Sequence, residues 1–259
     1  MRIVSWNVNG IRAAEKKNFS AWVQGDNADI ICLQETKAQP EQLSPELREI
    51  TGNSGEAYQS FWVSAKKGGY SGVAIYSKTP PLDIKPLGVE EFDDEGRVIQ
   101  ADYKDFTLIN AYFPNSQGEG KRLSYKLRFC EAIFKLCQQY RKKKRHFILC
   151  GDYNIAHTSI DLARPKENQD QAGYLPEERA WMDSFTAAGF VDTLRHFHPG
   201  ETGLYTWWSY RACSRERNVG WRLDYHCIDP EFLPSVESSI TRPDVQGSDH
   251  CPVEITLKL

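Results

Sequence analysis

No apolar run in the 259 residues approaches the roughly 20 residues a membrane-spanning helix needs, so no membrane partner is expected. Met1 to Gly10 lacks the charged-then-apolar order of a secretory signal. The seven cysteines are odd in number and contain no CxxC pair, which argues against a disulfide framework and a thiolate metal site. Cys32, Cys150 and Cys227 lie in apolar, strand-like segments. A reducing compartment is therefore expected: a bacterial cytoplasm, or a nucleus if the source is eukaryotic. The six histidines show no zinc-ligand spacing either. Charge of one sign is also missing, because 32 basic against 35 acidic residues leave a net charge of −3. Overall charge thus does not announce a nucleic-acid binder. There is no linker tract, low-complexity segment or internal repeat, so 1–259 is expected to be a single catalytic domain.

The chain does contain local basic clusters, at Lys16-Lys17, Lys66-Lys67, Lys121-Arg122, Arg141 to Arg145 and Arg211 to Arg222. A near-neutral protein can carry one basic face around an acidic centre. Arg141 to Arg145 also suits the negative end of the helix that precedes it. Seven Trp and twelve Tyr supply flat side chains able to stack on sugars and bases, although most belong in a core.

The most informative stretch is His146 to His157, HFILCGDYNIAH. Phe147 to Cys150 is a short apolar run of the kind that forms a buried strand. Gly151 breaks it, as glycine does where backbone turns or is closely approached. Asp152 and Asn154 are two apart and, in extended geometry, share a side. Taken alone, the pair is equally an Asx turn closing a strand.

Strands are expected at Arg2–Val8, Asp29–Gln34, Tyr58–Ala65, Gly72–Tyr76, Tyr205–Ser209, Arg222–Ile228 and Val253–Leu257. Arg97–Tyr103 and Phe106–Tyr112 read as a hairpin turning at Lys104-Asp105. Helical spacing is clearest over Ser124–Lys142, with further helices around Phe19 to Val23, over Leu43–Ile50 and over Glu177–Ala188, the last closed by Gly189. Thr158 to Pro176 reads as irregular. Interspersed strands, helices and a hairpin indicate an α/β protein with mixed sheets.

A pattern then recurs. Asn7 and Asn9, Glu35, Asp152 and Asn154, Asp224, and Asp249 with His250 all follow or punctuate apolar strands. One such residue is turn chemistry; five such places suggest that they meet. Oxygen ligands of this kind suit Mg²⁺, with Mn²⁺ the alternative. An Asp–His pair formed by Asp224 or Asp249 with His250 orients the imidazole and raises its pKa.

These residues carry a resemblance. Ser5-Trp6-Asn7-Val8-Asn9-Gly10-Ile11-Arg12, Leu33-Gln34-Glu35-Thr36-Lys37, Gly151 to His157, Asp161-Leu162-Ala163-Arg164-Pro165-Lys166, Asn218 to Tyr225 and Ser248-Asp249-His250-Cys251-Pro252 resemble, in order, the motifs of the exonuclease III family of abasic-site endonucleases. The Gln-Glu, Gly-Asp-x-Asn and Ser-Asp-His pieces are shared across the wider DNase I-like superfamily. The Asn218–Tyr225 and Asp161–Lys166 stretches are more specific to the DNA-repair branch.

The resemblance implies a four-layer α/β sandwich, two mixed sheets face to face with helices outside. It implies cleavage of double-stranded DNA 5′ to an abasic site, leaving a 3′-hydroxyl, with 3′→5′ exonuclease and 3′-end processing as related activities, by a monomer. Its implied catalytic set is Tyr112, Asp152, Asn154, Asp224 and His250. Its metal set is Asn7, Glu35, Asp152, Asn154, Asp249 and His250, with Asn9 nearby. DNA contacts fall to Arg12, Lys37, Tyr70, Asn115, Asn168, Gln171 and Arg211, and the baseless-sugar pocket to Trp207, Trp221 and Leu223. The Ser116–Gly120 loop departs from some members in lacking an arginine and carrying Glu119, which argues against a second side chain inserted into DNA there. Two rival readings are a lipid or inositol phosphatase of the same superfamily and an inactive nucleic-acid-binding module.

Overall fold

A computed structural model describes residues 1–53 and 55–259. In chain order the strands are β1 (Arg2–Asn7), β2 (Ile30–Gln34), β3 (Gln59–Val63), β4 (Val73–Ser77), β5 (Asp83–Lys85), β6 (Val98–Asp102), β7 (Thr107–Tyr112), β8 (Phe147–Asp152), β9 (Val191–Asp192), β10 (Asp224–Ile228), β11 (Val236–Thr241) and β12 (Val253–Leu257). The helices are α1 (Ile11–Glu15), α2 (Phe19–Asp26), α3 (Pro45–Arg48), α4 (Glu90–Asp93), α5 (Leu123–Lys142), α6 (Pro176–Ala187) and α7 (Thr193–Phe197).

The strands form two six-stranded sheets, ordered β11-β12-β1-β2-β4-β3 and β5-β6-β7-β8-β10-β9. Each is mixed: β1 runs parallel to β2 and β7 parallel to β8, while the other pairs are antiparallel. Alternation along each strand builds the layers. Ile3, Ile30, Cys32, Ile75, Leu108, Ile148, Cys150 and Ile228 fill the space between the sheets. Val4, Trp6, Ile31 and Leu33 face the other way and pack on Ile11, Phe19, Val23 and Leu47 of α1 to α3. Phe147, Leu149, Tyr225 and Cys227 likewise pack on Phe129, Ile133, Met182 and Phe185 of α5 and α6. This is the four-layer α/β sandwich expected from the motifs.

The two sheets are also pinned by polar groups. Gln34 Nε2 donates to Asn110 Oδ1 (2.7 Å), and Asn110 Nδ2 donates to the Leu33 and Ala74 carbonyls (3.0 and 2.9 Å). All of this lies buried just below the ends of β2 and β7, where Glu35 and Tyr112 emerge. Such a brace in a dry core fixes register, because a slip would leave amides unpaired. Gly151 serves the same end of the molecule. Its φ is 137°, and a Cβ there would stand 1.9 Å from the Ala111 carbonyl oxygen, so only glycine lets β7 and β8 lie together at this point.

Most elements match the sequence expectations to within a residue or two, including the hairpin, whose connection is Tyr103 to Phe106. Two strands do not. Tyr205–Ser209 forms no strand: Trp207 makes only isolated bridges to Trp221 and His250. Arg222 and Leu223 precede β10 rather than belonging to it, because Thr206 Oγ1 takes the N–H groups of Leu223 and Asp224 in place of a ladder. Edge strand β11, with its polar VESSIT sequence and a register shift between Val236 and Ser238, lacks the apolar alternation that would have announced it. The short β5, β9, α4 and α7 carry too few residues for periodicity to register.

Candidate active site

Five chain segments meet at one end of the sandwich. Asn7 ends β1, Glu35 follows β2, Tyr112 ends β7, Asp152 ends β8 and Asp224 opens β10. The turn before β12 adds Asp249 and His250, fastened by Trp6 Nε1 donating to the His250 carbonyl (3.1 Å). Glu35 and Asn154 both take left-handed backbone, φ 52° and 51°, so each turns its side chain back over the strand end.

Asn7 is the hinge of the arrangement. Its Nδ2 donates to Glu35 Oε1 (3.0 Å) and to Asp152 Oδ2 (2.9 Å), coupling the sheets. Asn154 Nδ2 also reaches Asp152 Oδ2 (3.2 Å), and the Asn154 backbone N–H donates to Asp152 Oδ1 (2.8 Å). Tyr112 donates its hydroxyl to Glu35 Oε1 (2.7 Å). Asn115 Nδ2 donates to Asn154 Oδ1 (3.0 Å), extending the amide row.

His250 lies between two carboxylates. Its Nδ1 is 2.8 Å from Asp224 Oδ2 and its Nε2 is 3.8 Å from Asp152 Oδ2. Burial disfavours a charged ring here, but Asp224 and Asp152 override that and push the imidazole pKa well above its ordinary value. Burial, reinforced by Asp224 and Glu35, raises the Asp152 carboxyl against the pull of His250. Asp249 accepts from Asn9 Nδ2 (2.9 Å) and Trp207 Nε1 (3.1 Å). Burial opposes its ionisation, yet His250 and these donors hold its pKa below the usual carboxylate value. Glu35 behaves likewise: burial is outweighed by Lys37, Asn7 and Tyr112.

The donor set fits a hard divalent cation. Glu35 Oε2 and Asn9 Oδ1 already gather around a positive charge, the Lys37 ammonium, at 2.7 and 2.5 Å. Carboxylate and amide oxygens predominate, which is the chemistry magnesium-type ions select. Asp152, Asp224 and His250 also place one ligand atom each within 4.8 Å of one another. There His250 is already paired with Asp224, whereas Glu35 and Asp249, with the amides of Asn7 and Asn9 between them, could hold such an ion.

Beside these groups opens a cavity of about 530 Å³, lined by Glu35, Tyr112, Asn115, Asn154, Asn168, Gln171, Trp207, Trp221, Leu223, Asp249 and His250. Trp207, Trp221 and Leu223 cluster with Ala156, Leu162 and Tyr174 as its apolar wall. Trp208, by contrast, is buried outside it. The remaining expected DNA contacts are dispersed. Arg12 and Arg211 are exposed, Arg211 on the loop beyond Ser209. Asn168 Nδ2 is spent on the Ala163 and Arg164 carbonyls. Lys37 turns inward to Glu35, and Tyr70 is braced by Arg97 and Arg122.

Sequence reasoning missed several supports. Thr206 donates to Asp224 Oδ2 (2.6 Å) and so steadies the partner of His250. Lys126, fully buried on α5, donates to the Asn154 carbonyl and to Glu178 Oε1, both at 2.6 Å. Glu178 in turn holds Ser116 Oγ and the N–H groups of Gly173 and Leu175. No local pattern marks a lysine in an amphipathic helix as buried.

Two facing mixed sheets with a buried acid, amide and imidazole cluster beside an open cleft are the setting of a phosphodiester hydrolase. The chain belongs to the Endonuclease/Exonuclease/phosphatase family, whose profile matches residues 4–250. It is 43% identical to an exodeoxyribonuclease of Bacillus subtilis, with 100% of both chains covered. It is 42% identical to the DNA repair nuclease APEX1 of Danio rerio, over 99% of this chain and 82% of that one. An AP endonuclease structure from Archaeoglobus fulgidus superposes with a TM-score of 0.86 at 27% identity, covering both chains fully.

Proposed function

We propose that this protein is a DNA-repair nuclease that cuts the phosphodiester 5′ to an abasic site in double-stranded DNA. The observation that carries the reading is the apolar Trp207–Trp221–Leu223 wall, which shares one cavity with Glu35, Asn154 and His250, Asp152 lying just behind Asn154. A nucleotide without its base leaves the stack at low cost, and its bare deoxyribose fits such a wall where a base would collide. The names of the relatives support the substrate: exodeoxyribonuclease, DNA repair nuclease, AP endonuclease.

In the proposed reaction Asp152, held by Asn7 and Asn154, orients a water and accepts its proton as the new O–P bond forms. The bond from phosphorus to the 3′-oxygen breaks, and that oxygen takes a proton from solvent to leave as the 3′-hydroxyl while Asp152 returns its proton to solvent. His250, kept protonated by Asp224, donates to a phosphate oxygen, and Tyr112 hydrogen-bonds the same phosphate. Glu35, Asn7, Asn9 and Asp249, with Asp152, Asn154 and His250 adjoining, would hold Mg²⁺, or Mn²⁺ in its place. When bound, such an ion supplies Lewis-acid neutralisation of charge on the phosphate and leaving oxygen. Arg12, Tyr70, Asn115, Asn168, Gln171 and Arg211 flank the cleft as DNA-backbone contacts, and such contacts make affinity salt-dependent. Lys37 joins them by exchanging its internal pairing for phosphate.

We propose further that the enzyme acts as a monomer in a reducing compartment, a bacterial cytoplasm or a nucleus. Its buried cysteines, unpaired among the described residues, support that placement. Among those residues no helix is long and apolar enough to cross a membrane.

The test is digestion of three end-labelled duplexes with Mg²⁺: abasic, intact blunt-ended and 3′-phosphate. The abasic strand is expected to be cut fastest, to a 3′-hydroxyl product, and EDTA to abolish the cut. Hydrolysis of inositol polyphosphate with no duplex cleaved would overturn the reading.

A further inference from the structure

Arg97 is the least expected charge in the molecule. It precedes β6, is 1% exposed, and cannot itself reach a ligand at the surface. Yet its guanidinium is fully engaged. Nη1 donates to the Tyr112 carbonyl (3.0 Å), Nη2 donates to the Tyr70 hydroxyl (2.8 Å), and Nε is 2.6 Å from Glu95 Oε2. Its carbon centre lies 5.0 Å from the centre of the Tyr112 ring and 5.7 Å from that of Tyr70, within cation–π range of both. The backbone repeats the tie, since the Tyr112 N–H donates to the Arg97 carbonyl (2.8 Å). Arg122 closes the bracket from the start of α5, donating Nη1 to the Tyr70 hydroxyl (2.5 Å) and Nη2 to Glu95 Oε1 (2.7 Å).

The two tyrosines so held have different places. Tyr112 reaches Glu35 in the cleft, and Tyr70 is assigned to the DNA backbone by the proposal above. We infer that Arg97 is a positioning residue that seats both tyrosines on one guanidinium, setting the reach of the cleft hydroxyl and the grip on the flanking strand together. The inference rests on the nuclease activity proposed above. Its chemistry favours arginine over lysine: the planar fork serves three differently placed acceptors while its face lies against aromatic rings, and a point-charge ammonium does not do both. Buried as it is, Arg97 acts through the two tyrosines it holds.

The test is a pair of double-mutant cycles on the full chain, read as single-turnover rate and as DNA affinity by fluorescence anisotropy. Tyr112→Phe is expected to slow cleavage about tenfold or more, the loss of a hydrogen bond to a charged partner. Arg97→Lys is expected to slow cleavage severalfold and weaken binding of an abasic duplex severalfold, with the thermal midpoint nearly kept. In the Tyr112→Phe background Arg97→Lys should cost little further rate, and in the Tyr70→Phe background little further affinity. Independent, multiplying losses in either cycle would overturn the inference, as would an Arg97→Lys enzyme with wild-type rate and affinity. Should Arg97→Lys unfold the protein, Glu95→Gln, which loosens the same guanidinium from the opposite side, is read in the same two cycles. Failure of the wild-type chain to cut any duplex would instead fault the nuclease assignment, a distinguishable result.

Discussion

Asp152 and Asp224 stand directly opposite each other across β8 and β10, two buried carboxylates forming one register pair. Like charges so placed repel. The arrangement holds because His250 sits between them as a buried cation. His250→Gln should therefore cost stability as well as turnover, by about 3–5 kcal/mol for an uncompensated buried charge. Adding Asp224→Asn should restore most of the stability and none of the activity. Denaturant unfolding alongside abasic-DNA cleavage separates the two effects.

Asp152→Asn tests the base directly. General-base loss lowers turnover by about 10²–10⁴-fold. Affinity for an abasic duplex should change little, because in the proposed reaction the carboxylate meets water rather than the DNA backbone. Turnover close to wild type would remove Asp152 from the proton transfer.

The Lys126–Glu178 pair should behave as a buried clamp. Both side chains are fully buried and 2.6 Å apart. Lys126→Met leaves Glu178 unpaired and is expected to cost about 3–5 kcal/mol. Lys126→Met with Glu178→Gln should recover much of this while keeping acceptors for the Gly173 and Leu175 N–H groups. Urea midpoints of the three proteins decide it.

His226 predicts an acid limit to stability. Both ring nitrogens lack a hydrogen-bond partner among the described residues. Burial lowers its pKa to about 3, with Glu254 opposing only weakly. An unfolded histidine titrates near 6.5, so below that pH the unfolded chain binds the proton first. Its contribution is thus complete above about pH 6.5 and drains away as pH falls toward 3, a loss on the order of 4 kcal/mol. His226→Phe should flatten the thermal midpoint across that window relative to wild type; parallel curves would contradict this.

The parts of the site that were legible in the sequence are those delivered by strand ends. Asn7, Glu35, Asp152 and Asp249 each follow or border an apolar run, and the run itself signals that something rigid stops there. The apolar wall of the cleft was legible only through motif likeness, since Trp207 and Trp221 lie in no strand and have no periodicity to read. Arg97, Thr206 and Lys126 were illegible for a different reason. Their roles depend on partners between 15 and 52 positions away, and a single charged or hydroxyl residue looks the same whether it ends in water or in a core. Lys37 shows the converse. Its type pointed outward to phosphate, and only the left-handed turn through Glu35 and Lys37 folds its ammonium back into the cluster.

The brace from Trp6 to the carbonyl of His250 joins positions 244 apart, and β1 is seated between β2 and β12. Contacts so distant along the chain form late, after most of the chain has collapsed. During translation the first strand must wait for the last one to emerge, so a nascent polypeptide has its acids in hand but no assembled cutting edge. A hydrolase built this way has no assembled site until β12 has joined β1 in the sheet.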